Sequence, residues 1–202
     1  MTVAKAPRFK SFEEYLLTEP SNLPEGRYEY WDGELRLVMS ESGFNDALAK
    51  YLMFAFMDFG IALELIYCHS CEVAVPGRPR TRFPDLVVAE EAHKKLLEKR
   101  ATITQTMPPP RLIAEVVSPG DDKSDNYQRD YQEKPRQYAA IGVPEYWIID
   151  PERTWVKVGH LVDGTYQYQT FQGNDRLLSP TLSNLNLTAA QVLRSDTGAI
   201  DP

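Results

Sequence analysis

Two short apolar segments of the chain, 83–89 and 112–117, each carry a single carboxylate. The acids are Asp85 and Glu115, and a charge inside a buried strand costs free energy unless a cation neutralises it. Alternate residues of a strand share a face, so both acids lie among apolar neighbours and neither is simply the solvated half of its strand. Brought together, the two acids require a cation, which is either a divalent metal bound by oxygen ligands or a lysine such as Lys134.

Composition predicts one compact domain over 1–202, with a structured part over 11–190 and a polar tail over 191–202. The chain has 202 residues and 43% hydrophobic residues, enough for a substantial core. Its net charge of −7 opposes nonspecific binding to nucleic acid at long range. The basic groups near Asp85, at 78–82 and 94–100, are local exceptions that are equally consistent with solvated surfaces.

Several classes of protein receive little support from the sequence. The glycine-rich nucleotide-binding fingerprints are absent, as is the G-x-S-x-G motif of many hydrolases. Cys68-His69-Ser70-Cys71 is a lone C-x-x-C without the second ligand pair of a structural zinc site. The sequence has no membrane-spanning stretch and no apolar signal-peptide core at its start, so we expect a cytoplasmic protein that does not enter a membrane.

The elements that must position the acids follow from periodicity and turn signals. The turns Asp32-Gly33 and Asp163-Gly164 predict a hairpin near each end of the chain. Helices are predicted over 11–18, 45–59, 90–100 and 126–141, and after Thr188. Further strands are predicted over 61–68, 71–75 and 145–150, and around the two acids. This order indicates an α/β (α+β) fold with a mixed sheet flanked by helices.

A longer set of motifs identifies a family resemblance. These motifs are Arg27-Tyr28-Glu29, Asp32-Gly33-Glu34-Leu35, Pro84-Asp85, Glu115-Val116-Val117-Ser118-Pro119, Asp130-x-x-x-Lys134-x-x-x-Tyr138 and the run Gly142–Pro151. Over residues 11–190 the chain resembles the Uma-type family of bacterial restriction-endonuclease-like proteins, within the PD-(D/E)XK nuclease superfamily. The resemblance implies a restriction-endonuclease-like core and a metal-dependent endonuclease that hydrolyses phosphodiester bonds in DNA.

The resemblance also implies roles for individual residues. Asp85, Glu115 and the main-chain carbonyl of Val116 are expected to bind Mg²⁺ or Mn²⁺, which lowers the pKa of a bound water. The superfamily lysine normally stands two positions after the second acid, where this chain has Val117. In this family the lysine belongs to the next helix, and Lys134 occupies that place. Lys134 is expected to orient the nucleophile or to stabilise charge on the phosphate oxygens.

Three further residues are auxiliary candidates, and two features depart from the family pattern. The auxiliary candidates are Glu29, Asn45 and Asp130. Asn45 stands where family members often carry a histidine. Pro135 directly follows Lys134, which disfavours helical geometry at the lysine and predicts a kink or a new helix start that would displace it.

Other interpretations of the same residues stay open at this point. Glu115 and Lys134 are also consistent with a buried ion pair that binds no metal, and Asp85 with a turn residue paired to Arg82. The chain would then be a catalytically degenerate nuclease fold that serves as a binding or dimerisation module. For the nuclease we expect a homodimer, because cleavage of both DNA strands needs two sites and two-fold symmetry is the commonest assembly.

Overall fold

The computed structural model of the protein describes residues 7–39 and 42–193. The helices are α1 (Phe12–Leu17), α2 (Gly43–Asp58), α3 (His93–Leu96), α4 (Asp125–Gln128), α5 (Lys134–Ala140) and α6 (Ala189–Leu193). No helix in these ranges combines the length and the apolar character needed to cross a bilayer. Most of the predicted polar tail over 191–202, from residue 194 on, lies outside the described residues.

The strands form one large sheet and two small ones. They are β1 (Tyr28–Trp31), β2 (Glu34–Leu37), β3 (Ile66–Cys68), β4 (Glu72–Ala74), β5 (Thr81–Arg82), β6 (Leu86–Val88), β7 (Thr102–Ile103), β8 (Leu112–Val116), β9 (Glu145–Asp150), β10 (Trp155–Val162) and β11 (Thr165–Gln172). The large sheet has the order β11-β10-β9-β8-β6-β3, in which only β8 and β9 run parallel. The small sheets are β5-β4-β7 and the hairpin β1-β2. The predicted mixed α+β fold is therefore confirmed.

Both predicted hairpins form at their Asp-Gly turns. Asp32 and Gly33 have φ angles of 44° and 92°, and Asp163 and Gly164 have 48° and 79°. Two consecutive residues with positive φ are what a two-residue turn needs to match the twist of its strands. Aspartate and glycine tolerate this conformation better than other residues, so the local sequence alone is sufficient to place these turns.

Helices cover the two faces of the large sheet with apolar side chains. On one face, Leu52 and Phe56 of α2 are fully buried in a cluster that includes Trp147 of β9. On the other face, Tyr138 of α5 is buried against Ile113 of β8. Alternate residues of a strand share a face, so residues 113, 115 and 117 point away from α2. The Glu115 side chain therefore points to the α5 side.

Three predicted elements differ from the observed ones. The strand at Asp85 begins only at Leu86, because Pro84 has no N–H to donate to a neighbouring strand. The segment predicted as a strand over 61–68 contains a 3-10 turn, Leu63–Leu65, before β3. The helix predicted over 90–100 is reduced to α3, where the His93 side chain is buried and bonds to the main chain at Glu90 and Pro108 instead of facing solvent.

Replacing Phe56 with alanine should lower the free energy of unfolding by about 3–5 kcal/mol, because it leaves a cavity in the core. Phe56 is fully buried, and its ring meets Trp147 edge-on at 5.5 Å between centroids. The matched control is Phe54→Ala on the same helix, which should change stability by only about 0.5 kcal/mol because Phe54 is 62% exposed. Urea denaturation measures both values, and equal losses would contradict the assigned face of α2.

Candidate active site

The large sheet brings the two predicted acids to the same level on neighbouring strands. Leu86 pairs with Ala114 in the antiparallel β6–β8 ladder, and continuing this register places Asp85 opposite Glu115. Asp85 Oδ2 accepts a hydrogen bond of 2.7 Å from the Val116 main-chain N–H. Both acids are buried, Asp85 with 4% and Glu115 with 1% exposure. The predicted convergence of Asp85 and Glu115 is therefore present in the folded chain.

Helix α5 supplies donors to both oxygens of Glu115. Lys134 Nζ lies 2.8 Å from Glu115 Oε2, and the Tyr138 hydroxyl donates to Oε1 at 2.8 Å. Lys134 Nζ also lies 2.9 Å from Asp130 Oδ1. Because Asp130, Lys134 and Tyr138 are spaced four residues apart, one face of the helical segment carries all three groups. The buried carboxylate of Glu115 thus has an ammonium and a hydroxyl as partners.

A change of helix type lets Lys134 precede a proline without being displaced. Residues Arg129–Glu133 form a π-helical turn between α4 and α5, and the Lys134 N–H donates to the Arg129 carbonyl. Lys134 has helical φ and ψ angles of −57° and −48°. The wider π turn accommodates the Pro135 ring, which in a continuous α-helix would clash with the preceding turn. The predicted new start at Lys134 is observed, but the expected displacement of the lysine is wrong.

Burial and charge shift the protonation of this cluster. Burial raises the pKa of Glu115; Lys134 lowers it, the Asp85 and Asp130 charges raise it further, and the resulting pKa is about 7. Burial alone would lower the pKa of Lys134, but Asp130, Glu115 and Asp85 raise it overall. Burial alone would raise the pKa of Asp130, but Lys134 and Arg129 lower it overall. The cluster therefore holds more carboxylate charge than Lys134 alone neutralises.

Arg82 joins three elements around the site. Its buried guanidinium donates to Glu29 Oε1 at 3.0 Å, to Glu133 Oε2 at 3.0 Å and to Gln137 Oε1 at 2.8 Å. These contacts connect the first hairpin, the strand before Asp85 and the helix that carries Lys134. The alternative interpretation that Asp85 pairs with Arg82 is therefore wrong, because each guanidinium nitrogen of Arg82 binds another acceptor and Asp85 contacts Val116 and His69.

The auxiliary candidates occupy different positions. Asp130 contacts Lys134 directly, as described above. Glu29 lies in the hairpin and is bound to Arg82, so the structure brings it next to the site's supporting network and not to Glu115. Asn45 is buried in the first turn of α2, where its N–H donates to Ser42 Oγ at 3.1 Å. The next residue, Asp46, contacts a histidine that also contacts Asp85.

That histidine, His69, is a site residue that the sequence analysis did not identify. His69 Nδ1 lies 3.3 Å from Asp85 Oδ1, and Nε2 lies 3.5 Å from Asp46 Oδ1. Burial lowers the pKa of His69, but the contacts with Asp85 and Cys68 outweigh burial and raise the pKa to about 10. Neither ring nitrogen has a partner in hydrogen-bond geometry, so the contacts are ion pairs. The only signal in the sequence was the position of His69 between Cys68 and Cys71.

The donor set is compatible with a hard divalent ion. Mg²⁺ typically uses one or two carboxylates and keeps several waters, which matches Asp85 and Glu115. The N–H and C=O of one strand residue point to the same edge, so the Val116 carbonyl faces the side where its N–H meets Asp85. Within 7–39 and 42–193, no three His, Cys, Asp or Glu side chains group as a self-sufficient metal site. Waters and the Val116 carbonyl would have to complete the coordination.

The raised pKa of Glu115 predicts a pH-dependent difference in stability between the wild type and Glu115→Gln. The folded protein holds a proton on Glu115 up to about pH 7, whereas the unfolded chain releases it near the ordinary value of 4.5. This contribution to folding is fully present below pH 4.5 and is lost as the pH rises to 7, by about 3 kcal/mol in total. Wild-type stability should therefore fall relative to Glu115→Gln across this window.

Urea denaturation at pH 4.5 to 8 measures this difference. Glu98→Gln is the matched control, since Glu98 is exposed and the same loss of charge should leave the pH profile of the wild type unchanged. Parallel profiles for the wild type and Glu115→Gln would contradict the raised pKa.

Comparison with known proteins gives a family and a structural neighbour. Residues 12–190 match the Uma2 family, whose description reads "Putative restriction endonuclease". No curated protein has a matching sequence. The crystal structure of a "putative nuclease belonging to DUF820" from Anabaena variabilis ATCC 29413 matches with a TM-score of 0.60 and 17% identity, over 91% of this chain and 97% of that one. Because the family match extends over most of the sequence, the chain belongs to the Uma2 family, and the structural match shows that it shares the fold of the Anabaena protein.

Proposed function

We propose that the protein is a metal-dependent endonuclease that hydrolyses phosphodiester bonds in DNA with Mg²⁺ or Mn²⁺. The observation that carries this proposal is the convergence of Asp85 and Glu115 on adjacent strands, with Lys134 Nζ 2.8 Å from Glu115. Two buried acids on neighbouring interior strands, beside one lysine, combine metal ligands with a fixed positive charge. Membership of the Uma2 family supports the same reaction class.

In the proposed mechanism, Asp85, Glu115 and the Val116 carbonyl hold the ion. When bound, the ion supplies a water of lowered pKa and a Lewis acid for the phosphate oxygens. Lys134 stays charged because Asp130 and Glu115 hold its ammonium group on two sides. It is placed to orient the attacking water or to stabilise negative charge on the phosphate, and Tyr138 fixes the second oxygen of Glu115.

DNA is the proposed partner despite the net charge of −7. Arg78 and Arg136 line a groove together with Glu133 and Gln137, and Arg78 is paired with Asp32. Two arginines at one groove can contact a phosphate backbone even where the average field is repulsive, although such binding is sensitive to salt. We further propose a cytoplasmic homodimer, since two copies would cut both strands of a duplex.

The runner-up function is a binding or dimerisation module without catalysis. It is favoured by one observation, namely that both Glu115 oxygens already accept protein donors. A buried ion pair in which both carboxylate oxygens have protein donors does not need a metal to compensate its charge. The two functions differ in whether the site binds a divalent ion, which the following experiments measure.

Wild-type protein with Mn²⁺ should nick or linearise supercoiled plasmid DNA, and Asp85→Asn, Glu115→Gln and Lys134→Ala should each lose activity by about 100-fold or more. The carboxylate variants remove metal ligands, and the lysine variant removes the charge next to the reacting phosphate. Agarose gels over time measure the cleavage rates. Glu98→Gln and Lys95→Ala change the same charges at exposed positions of the chain and should cleave like the wild type. Equal rates in all five variants would point to a contaminating nuclease.

Mn²⁺ binding should strengthen as the pH rises towards 7 and then level off. Glu115 must lose its proton before it binds metal, and its pKa is about 7, so the affinity should rise by up to about tenfold for each pH unit below this value. Isothermal titration calorimetry of wild type and Asp85→Asn between pH 5.5 and 8 measures this. The module function predicts no heat of binding in either protein at any pH.

A further inference from the structure

His69 has an unusual backbone for a residue with a side chain. It follows β3 and has a φ of 53°, in the left-handed region that glycine and asparagine adopt more readily than histidine. Its main-chain N–H donates to the Asp85 carbonyl at 2.9 Å. Non-glycine residues in this region cost free energy and persist where the surrounding structure requires them. The left-handed turn thus brings both the backbone and the ring of His69 to Asp85.

The ring of His69 lies between two carboxylates from different elements. Nδ1 lies 3.3 Å from Asp85 Oδ1, and Nε2 lies 3.5 Å from Asp46 Oδ1 in the first turn of α2. Asp46 is itself held by Lys50 Nζ at 2.6 Å. The His69 side chain is only 13% exposed, and both ring nitrogens are buried. The two carboxylates are therefore the groups available to compensate the burial of these nitrogens.

We propose that His69 is a positioning residue that orients the Asp85 carboxylate for metal binding. The Val116 N–H holds Oδ2, and the His69 ring faces Oδ1, so the carboxylate is restrained from two sides. Rotation of the carboxylate would break one contact or the other. This inference rests on the proposed nuclease function, because Asp85 is the predicted metal ligand. Partners that orient a metal ligand typically contribute 10- to 100-fold to metal affinity.

Two substitutions separate positioning from backbone strain. His69→Gly removes the ring but suits the positive φ, so it should be no less stable than a variant that keeps a strained residue there. His69→Asn also tolerates this backbone, and its side-chain amide can turn an N–H towards Asp85 Oδ1 from the position of Nδ1, an ion–dipole contact in place of the ion pair, while it gives up the contact with Asp46. We expect His69→Gly to bind Mn²⁺ about 10- to 100-fold more weakly than wild type and His69→Asn to retain most of the affinity.

Calorimetry with Mn²⁺ measures the affinities. Plasmid cleavage gives a second readout, in which the kcat of His69→Gly should fall while its KM for DNA stays constant. The matched control is His160→Asn, at an exposed position of β10, which β9 and β8 separate from β6. Wild-type affinity in His69→Gly would overturn the proposal. Equal losses in His69→Asn and His69→Gly would also overturn it, because a polar contact with Asp85 Oδ1 would then not be the cause.

If the wild type binds no metal at all, the nuclease proposal is refuted. A double-mutant cycle on stability then still tests the inference about His69. Asp85→Asn multiplies the equilibrium constant for unfolding by some factor in the wild type. In the His69→Gly background we expect this factor to be smaller by about threefold or more, since contacting residues are coupled. Urea denaturation of the four proteins measures this coupling. Additive effects would overturn the positioning role of His69, whatever the outcome with metals.

Discussion

The carboxylate of Glu115 is buried within an otherwise apolar strand, and the surroundings of the site compensate this charge. A buried carboxylate without partners would remain protonated or destabilise the fold. Lys134 and Tyr138 meet both of its oxygens from α5, so the helix must pack at one height on the sheet. The same requirement fixes the register of β8, because a slip of one residue would turn Glu115 to the opposite face and Val116 to the α5 face.

The helix meets this requirement through a local irregularity. A π-helical turn at Arg129–Glu133 precedes Pro135, and it presents Asp130 and Lys134 on the side that faces Glu115. π-turns within helices occur frequently at functional sites, where they redirect side chains. Arg82 then connects this helical segment to the first hairpin through Glu133 and Glu29. The site is therefore held by long-range polar contacts that a shift of any one element would break.

Charge balance relates the ion pair to the proposed chemistry. Burial raises the pKa of Glu115, Lys134 lowers it, and the charges of Asp85 and Asp130 raise it further, so that the pKa is about 7. The proposed divalent ion would add positive charge beside the two carboxylates and the Val116 carbonyl, which are ligands of the kind that it prefers. His69 partly compensates Asp85 from the other side. The two buried acids are therefore compensated by protein groups from opposite sides, Lys134 at Glu115 and His69 at Asp85.

The sequence by itself determined the features that depend on neighbours along the chain. Both Asp-Gly hairpins, the helix over α2 and the strand around Glu115 follow from local φ preferences and apolar periodicity. The family motifs also singled out Asp85, Glu115 and Lys134, which the fold brings together. Only the tertiary structure decided the partners of Arg82, the position of His69 between Asp46 and Asp85, and the accommodation of Pro135. These depend on contacts between residues far apart in the sequence, and no periodic pattern encodes which distant side chains will meet.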